Sequence, residues 1–132
     1  MEKYKLKETL KYNKDFSWVL VKGDIATLGI IEPASKKAKE FVFVMLPKVG
    51  DKIKKEETYA SIEAVKWTGH LSSPLTGEIS EVNEEVYDEP SLLNEDPYGN
   101  WIVKMRLSNP KELDELLTAK EAEKWLKSKI EN

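Results

Sequence analysis

The sequence predicts a mainly β protein built as two small antiparallel sheets, with short helices closing its C-terminal end. Three observations carry that prediction. Short apolar or alternating segments recur between Gly- and Pro-rich turns, as in "SWVLVKGDIATLGII", which is how β-hairpins read. A five-residue pattern, P-x-x-G-[DE], occurs twice, at Pro47–Asp51 and Pro74–Glu78, 27 residues apart. The last quarter of the chain then changes to helical spacing, with apolar residues three and four apart.

The elements follow in order. Trp18, Leu20 and Lys22 alternate, Lys22-Gly23-Asp24 offers a tight turn, and Ile25 to Ile31 returns, so a hairpin is expected. Pro33 to Glu40 places proline at a helix start ahead of strong helix formers, enough for one or two turns. Its buried face is thin, since only Ala34 and Ala38 are apolar beyond the proline. "FVFVML", Phe41 to Leu46, is a continuous apolar run and predicts a strand buried on both faces. A polar turn around Lys55-Glu56-Glu57 leads into a strand from Thr58 to about Lys66, and Thr68-Gly69 reads as the next turn. The stretch from Gly69 to Asn83 gives two short strands around a Pro74-to-Gly77 turn. Trp101, Val103, Met105 and Leu107 form one face of the last strand.

Two amphipathic helices are expected to end the chain. Asn109 is placed to cap the first, with Pro110 at its first position, Glu112 three residues after the cap, and Leu113, Leu116 and Leu117 as its apolar face. Thr118 and Glu121 form a capping box for the second, whose stripe is Ala122, Trp125, Leu126 and Ile130. Both stripes must pack on the sheets.

Composition excludes most catalytic equipment. The chain has 132 residues, a length that suits one domain, 1–132, with its own core. Its net charge of −3 is mixed along the sequence, so no basic stripe points to nucleic acid or to an anionic membrane. Residues Met1 to Leu10 lack the apolar stretch of a signal peptide, and no run approaches the roughly 20 residues of a membrane span. A soluble, cytoplasmic monomer is the expectation. There is no cysteine and a single histidine, His70. Disulfides, thiolate metal sites, cysteine nucleophiles and multi-histidine metal sites are therefore out. No G-x-S-x-G, G-x-G-x-x-G or Walker loop occurs. Such a protein presents something more readily than it catalyses something.

Lys66 is the residue that could be presented. It lies between the two P-x-x-G-[DE] copies, and a quasi-symmetric pair of sheets puts it near the tip of the connecting hairpin. A lysine there has two readings. It is a solvated strand-end side chain, or it is an attachment point, since an amide at the ε-nitrogen removes the charge and joins a long cofactor arm. The second needs a rigid, exposed backbone and no acid, base or metal of the protein's own; the arm carries the chemistry.

The residues around Lys66 resemble the glycine cleavage system H protein family over nearly the whole chain, from about Tyr12 onward. Glu63-Ala64-Val65-Lys66-Trp67 is similar to the family's E-S-V-K-A. "SPLTGEISEVN" resembles its S-P-x-x-G-x-[IV]-x-x-[VI]-N segment, and Asn94, Asp96, Pro97, Tyr98 and Gly99 match its N-x-D-P-Y-G turn. The resemblance implies a barrel-sandwich hybrid fold and lipoic acid in amide linkage to Lys66, installed by a lipoate ligase or lipoyl transferase. It implies that Glu63 and Gly77 take part in recognition for lipoylation. It implies a carrier, not an enzyme. The arm would accept an aminomethyl group from glycine decarboxylase, deliver it to an aminomethyltransferase, and be reoxidised by dihydrolipoamide dehydrogenase.

Four departures bear on partners more than on fold. Phe16 stands where the family's H-x-W has its histidine, with Trp18 kept. The segment before the Phe41 strand has turned basic, and the family's Leu-Gly has become Ala38-Lys39. Trp67 replaces a small residue and His70 an acidic one. These changes keep a second resemblance open, to H-like lipoate-binding proteins that serve a heterodisulfide reductase-like sulfur-oxidation complex. An unmodified binding module of the same fold is a third alternative. An enzyme working through His70 or a carboxylate pair has no convincing spacing behind it.

Overall fold

The computed structural model describes residues 6–131, except for the side chains at 130 and 131. Its strands are β1 (Lys11–Tyr12), β2 (Ser17–Lys22), β3 (Ile25–Ile30), β4 (Phe41–Met45), β5 (Lys52–Ile53), β6 (Thr58–Ala64), β7 (Thr68–Ser72), β8 (Gly77–Val82) and β9 (Val103–Leu107). One antiparallel sheet runs β1-β2-β3-β9-β8-β5, and a second runs β4-β6-β7. Helices α1 (Glu32–Ala38), α2 (Glu84–Asp88), α3 (Leu92–Glu95) and α4 (Ala119–Glu131) surround them. Two antiparallel sheets with short helices, one of them closing the C-terminal end, are what the sequence predicts. The sheets are less equal than the echo suggested.

The echo itself has a structural reason. Its two copies lie side by side, with Lys52 opposite Glu78 and Ile53 opposite Gly77. The amide of Gly50 donates to Ile79 O at 2.8 Å, and the amide of Ile79 donates to Asp51 O at 2.8 Å. Their backbones differ, however. Gly50 turns with φ +96°, whereas Gly77 opens strand β8 and needs glycine for space. A Cβ there would lie 2.2 Å from Arg106 O.

The inner faces of the two sheets share one core, including Leu28, Ile30, Val44, Ile62, Leu71, Ile79, Val103 and Met105. A second cluster joins Leu10, Tyr12, Trp18 and Ile31 to Ala122 and Leu126 of α4. The C-terminal stripe therefore docks on the β1–β2 corner. Ile130, its last expected member, lies outside the described side chains.

Two elements differ from expectation. Strand β4 is buried on one face only: Phe41 and Val44 point into the core, while Val42, Phe43 and Met45 are exposed. A bulge between Phe41 and Phe43 shifts the alternation, and the outward Phe43 meets only the half-exposed Tyr87 of α2, at 6.1 Å between ring centroids, among the described ring contacts. A run of apolar residues implies double burial only where both faces are covered. The segment after Asn109 is a 3-10 helix, Pro110–Glu115, with no side-chain cap from Asn109. Its Glu112 is drawn instead to the Pro74–Gly77 turn, accepting from the Thr76 amide at 2.7 Å and hydroxyl at 2.8 Å.

The second C-terminal helix forms as read. Thr118 Oγ1 accepts from the Glu121 amide at 3.2 Å, and Glu121 returns an acceptor to the Thr118 amide at 2.9 Å. That bond to the Thr118 backbone holds the Glu121 carboxyl below the usual carboxylate range.

Candidate functional site

Lys66 sits at the tip of the β6–β7 hairpin. The last paired residues are Glu63 and Thr68, and the Ala64 amide donates to Trp67 O at 2.7 Å. The two-residue loop is therefore Val65-Lys66. Thr68-Gly69, expected as a turn, is the start of β7, as is His70 beyond it. Gly69 serves packing: the Trp67 indole lies across it, and a Cβ at 69 would come within 2.4 Å of the ring.

The tip is held from outside. The Val65 amide donates to Glu40 O at 3.0 Å, and the Lys66 amide donates to Ala38 O at 3.3 Å. The acceptors are the last residue of α1 and the link that follows it to β4, which lies alongside because Phe41 is the register partner of Ala64. The backbone of Lys66 is thus tied down while its side chain is exposed. No ion pair holds its ammonium among the described residues. A long flexible stem on a fixed backbone is what a carrier arm requires.

The α1–β4 link is in turn fixed by the N-x-D-P-Y-G turn. Asn94 Oδ1 accepts from the Phe41 amide at 2.9 Å, and its Nδ2 donates to Lys39 O at 2.5 Å. Trp18 Nε1 donates to Pro97 O at 3.1 Å. Tyr98 accepts from the Glu32 amide at 3.3 Å, at the first residue of α1. Burial pushes the Tyr98 phenol above its usual range, so the hydroxyl stays neutral. Asp96 Oδ1 accepts from the Gly99 amide at 3.0 Å and closes the turn itself. The motif thus acts at both ends of α1, and through it on the hairpin tip.

The other predicted residues divide. Glu63 lies exposed on the outer face of β6, between Phe43 and Thr68 in register. Ser61 and His70 are the next pair, their Oγ and Nδ1 2.7 Å apart. On this outer face Phe43 and Met45 of β4 are exposed along with Glu63, and Val65 of the loop is exposed beyond it. Gly77 lies buried in the other sheet, beyond the end of the hairpin remote from Lys66, and the structure does not bring it to the lysine.

Sequence reasoning missed the cleft next to the tip. It has a volume of about 270 Å³ and is lined by Phe16, Ala34, Lys37, Ala38, Trp67 and Lys129. Ala34 and Ala38, four apart on α1, were its visible signal. A larger cleft, about 470 Å³, lies near Ser72 at the far end of the hairpin. There Asp15 accepts from the Ser72 amide and hydroxyl, and Lys55 pairs with Glu115.

Known proteins of one family are similar to this chain along most of its length. A family model described as glycine cleavage H-protein matches residues 10–129. A glycine cleavage system H protein from Carboxydothermus hydrogenoformans is 43% identical over 123 residues, covering 92% of this chain and 95% of the relative. One from Vibrio campbellii is 46% identical over 123 residues, with the same coverage of 92% and 95%. The crystal structure of a glycine cleavage system H protein from Mycobacterium marinum superposes with a TM-score of 0.80 at 28% identity, covering 94% of this chain and 98% of that one.

Proposed function

The chain belongs to the glycine cleavage H-protein family, and from that premise we propose that it is a non-catalytic carrier with lipoic acid in amide linkage on Lys66. The observation that supports this reading most is the tip itself: both loop amides are bonded outward to Ala38 O and Glu40 O while the Lys66 side chain is left exposed. The site fits the group. The ε-nitrogen is exposed, so that it can lose its proton and be acylated as the free amine, and a cleft walled in part by Phe16, Ala34 and Ala38 opens one residue away at Trp67.

When bound, lipoic acid supplies a disulfide for group transfer and redox chemistry. The protein's own residues position it. Asn94 and the α1–β4 link hold the hairpin tip, and Glu63 with the exposed Phe43 and Val65 offers the surface that a lipoate ligase or lipoyl transferase reads. Gly77 contributes by seating β8 against Arg106, not by contact. The partners this reading names are glycine decarboxylase, an aminomethyltransferase and dihydrolipoamide dehydrogenase.

Intact mass after incubation with a lipoate ligase, ATP and lipoate tests the attachment. One lipoyl addition is expected, absent in Lys66→Arg; no addition to the unaltered chain would end the reading. Glycine–bicarbonate exchange with glycine decarboxylase tests the partner. A lipoylated chain that fails where an established H protein succeeds serves another complex, such as a heterodisulfide reductase-like one.

A further inference from the structure

We propose that His70 is a proton acceptor for the reduced arm. Its imidazole takes the proton of an arm thiol on the outer face of the three-stranded sheet, so the carrier itself presents the arm as a reactive thiolate. The inference rests on the reading of Lys66 as the attachment point and goes beyond it, since a plain carrier needs no base of its own.

Two features support it. The first is an oriented imidazole. His70 Nδ1 lies 2.7 Å from the Oγ of Ser61, its register partner on β6. With the Nδ1 proton donated to that oxygen, the free lone pair is at Nε2, and the same bond persists once Nε2 is protonated. The ring is exposed, and Nε2 has no partner among the described residues. The charged groups beside it are Glu63, next along the same face of β6, and Asp15, which Ser72 holds at the end of β7. Neither bonds to the ring among the described residues, so Ser61 sets its orientation. The second feature is reach. Four positions of chain separate Lys66 from His70, so their backbones lie at most about 14 Å apart. A lysine stem and lipoyl chain carry the sulfurs about 15 Å, through about a dozen bonds. The step balances. The S–H bond breaks, its proton passes to Nε2, and its electron pair stays on sulfur. The thiolate is the form that attacks a disulfide or an alkylating carbon. In the reverse direction the imidazolium returns the proton to the thiol that leaves. Such a base matters most near neutral pH, where an ordinary thiol is largely protonated.

The chain has no cysteine and one histidine, so each side of the step can be followed alone. Lipoylated protein, checked by intact mass, is reduced and treated with iodoacetamide. Loss of the unalkylated mass gives the rate, and Lys66→Arg gives the background. At pH 7 the unaltered carrier should react about tenfold faster than His70→Gln. The two rates should converge well above the usual thiol value of about 8.5, where no base is needed. If the variant is not lipoylated, free dihydrolipoamide is the reference, with the same result expected. Ser61→Ala should fall between, and Ser61→Thr, which keeps the hydroxyl, should restore the rate. The imidazole proton resonances of His70 should shift when the arm is reduced and return when both thiols are methylated. Equal rates at pH 7, a difference that persists at high pH, or ring resonances indifferent to the state of the arm overturns the proposal and leaves the carrier reading intact. A missing lipoyl mass on the unaltered chain sinks both.

Discussion

The two hairpins that frame this molecule have loops of the same length and opposite means of support. In β2–β3, Lys22 pairs with Ile25, so Gly23-Asp24 is the loop. Gly23 takes φ +62° with nothing within 4 Å of a Cβ position. That turn is made by local chemistry. In β6–β7, the loop Val65-Lys66 contains no glycine and neither residue has positive φ. Its amides are bonded to a segment that precedes it by more than twenty residues. A turn held by its own sequence needs its own side chains. A turn held by its neighbours leaves its side chains free, and that freedom is what an attachment lysine needs.

The comparison breaks most sharply at Asn94, which touches neither loop. Asn94→Ala removes the acceptor for the Phe41 amide and the donor to Lys39 O. With two groups left partly unsatisfied, a loss of about 2–4 kcal/mol is expected in denaturant unfolding. Hydrogen exchange at the Val65 and Lys66 amides should rise more than at Gly23 and Asp24. Equal changes at both tips would show that the β6–β7 loop does not depend on the α1–β4 link.

The next effect is at Gly69. Gly69→Ala must displace the Trp67 indole and is expected to cost about 1–3 kcal/mol. In a Trp67→Ala background the same change should cost only tenths, which a double-mutant cycle measures. If the cost persists without the indole, backbone conformation and not ring packing demands glycine there.

These positions also show what could be read from the sequence. The Lys22-Gly23-Asp24 turn and the Thr118–Glu121 capping box are legible because local pattern and final structure agree. The place of Lys66 at a hairpin tip followed from the echo. The loop itself did not, since Thr68-Gly69 carries the local turn signal while the turn is closed by bonds to Ala38 and Glu40. Gly69 is glycine for Trp67, and periodicity has no means of showing that. The exposed side of β4 and the cleft under Trp67 were hidden for the same reason. Both depend on what does or does not cover a face, which distant segments decide.

A smaller effect, of opposite sign, is expected at Lys39. This residue adopts φ +68° and ψ −143°, a region that favours glycine, between the two carbonyls that catch the hairpin tip. Lys39→Gly should stabilise the fold by about 1 kcal/mol by relieving that conformation, less the entropy glycine regains in the unfolded chain. The tip amides should exchange more slowly if their support stiffens. A destabilised variant would mean that the Lys39 side chain contributes more than its backbone costs.

The smallest effect on the fold should come from the residue that matters most to the proposed function. The Lys66 side chain is exposed and meets no ion-pair partner among the described residues. Its backbone amide carries the structural bond, and every residue except proline has that amide. Lys66→Ala should therefore change stability by no more than about 0.5 kcal/mol and leave the exchange of its own amide unaltered, while abolishing lipoylation. Val65→Ala, one position earlier, should behave alike in stability but keep the modification. A larger loss at Lys66 than at Val65 would show that the lysine stem packs on the surface. The tip would then be held partly by its own side chain, and the contrast between the two hairpins would weaken.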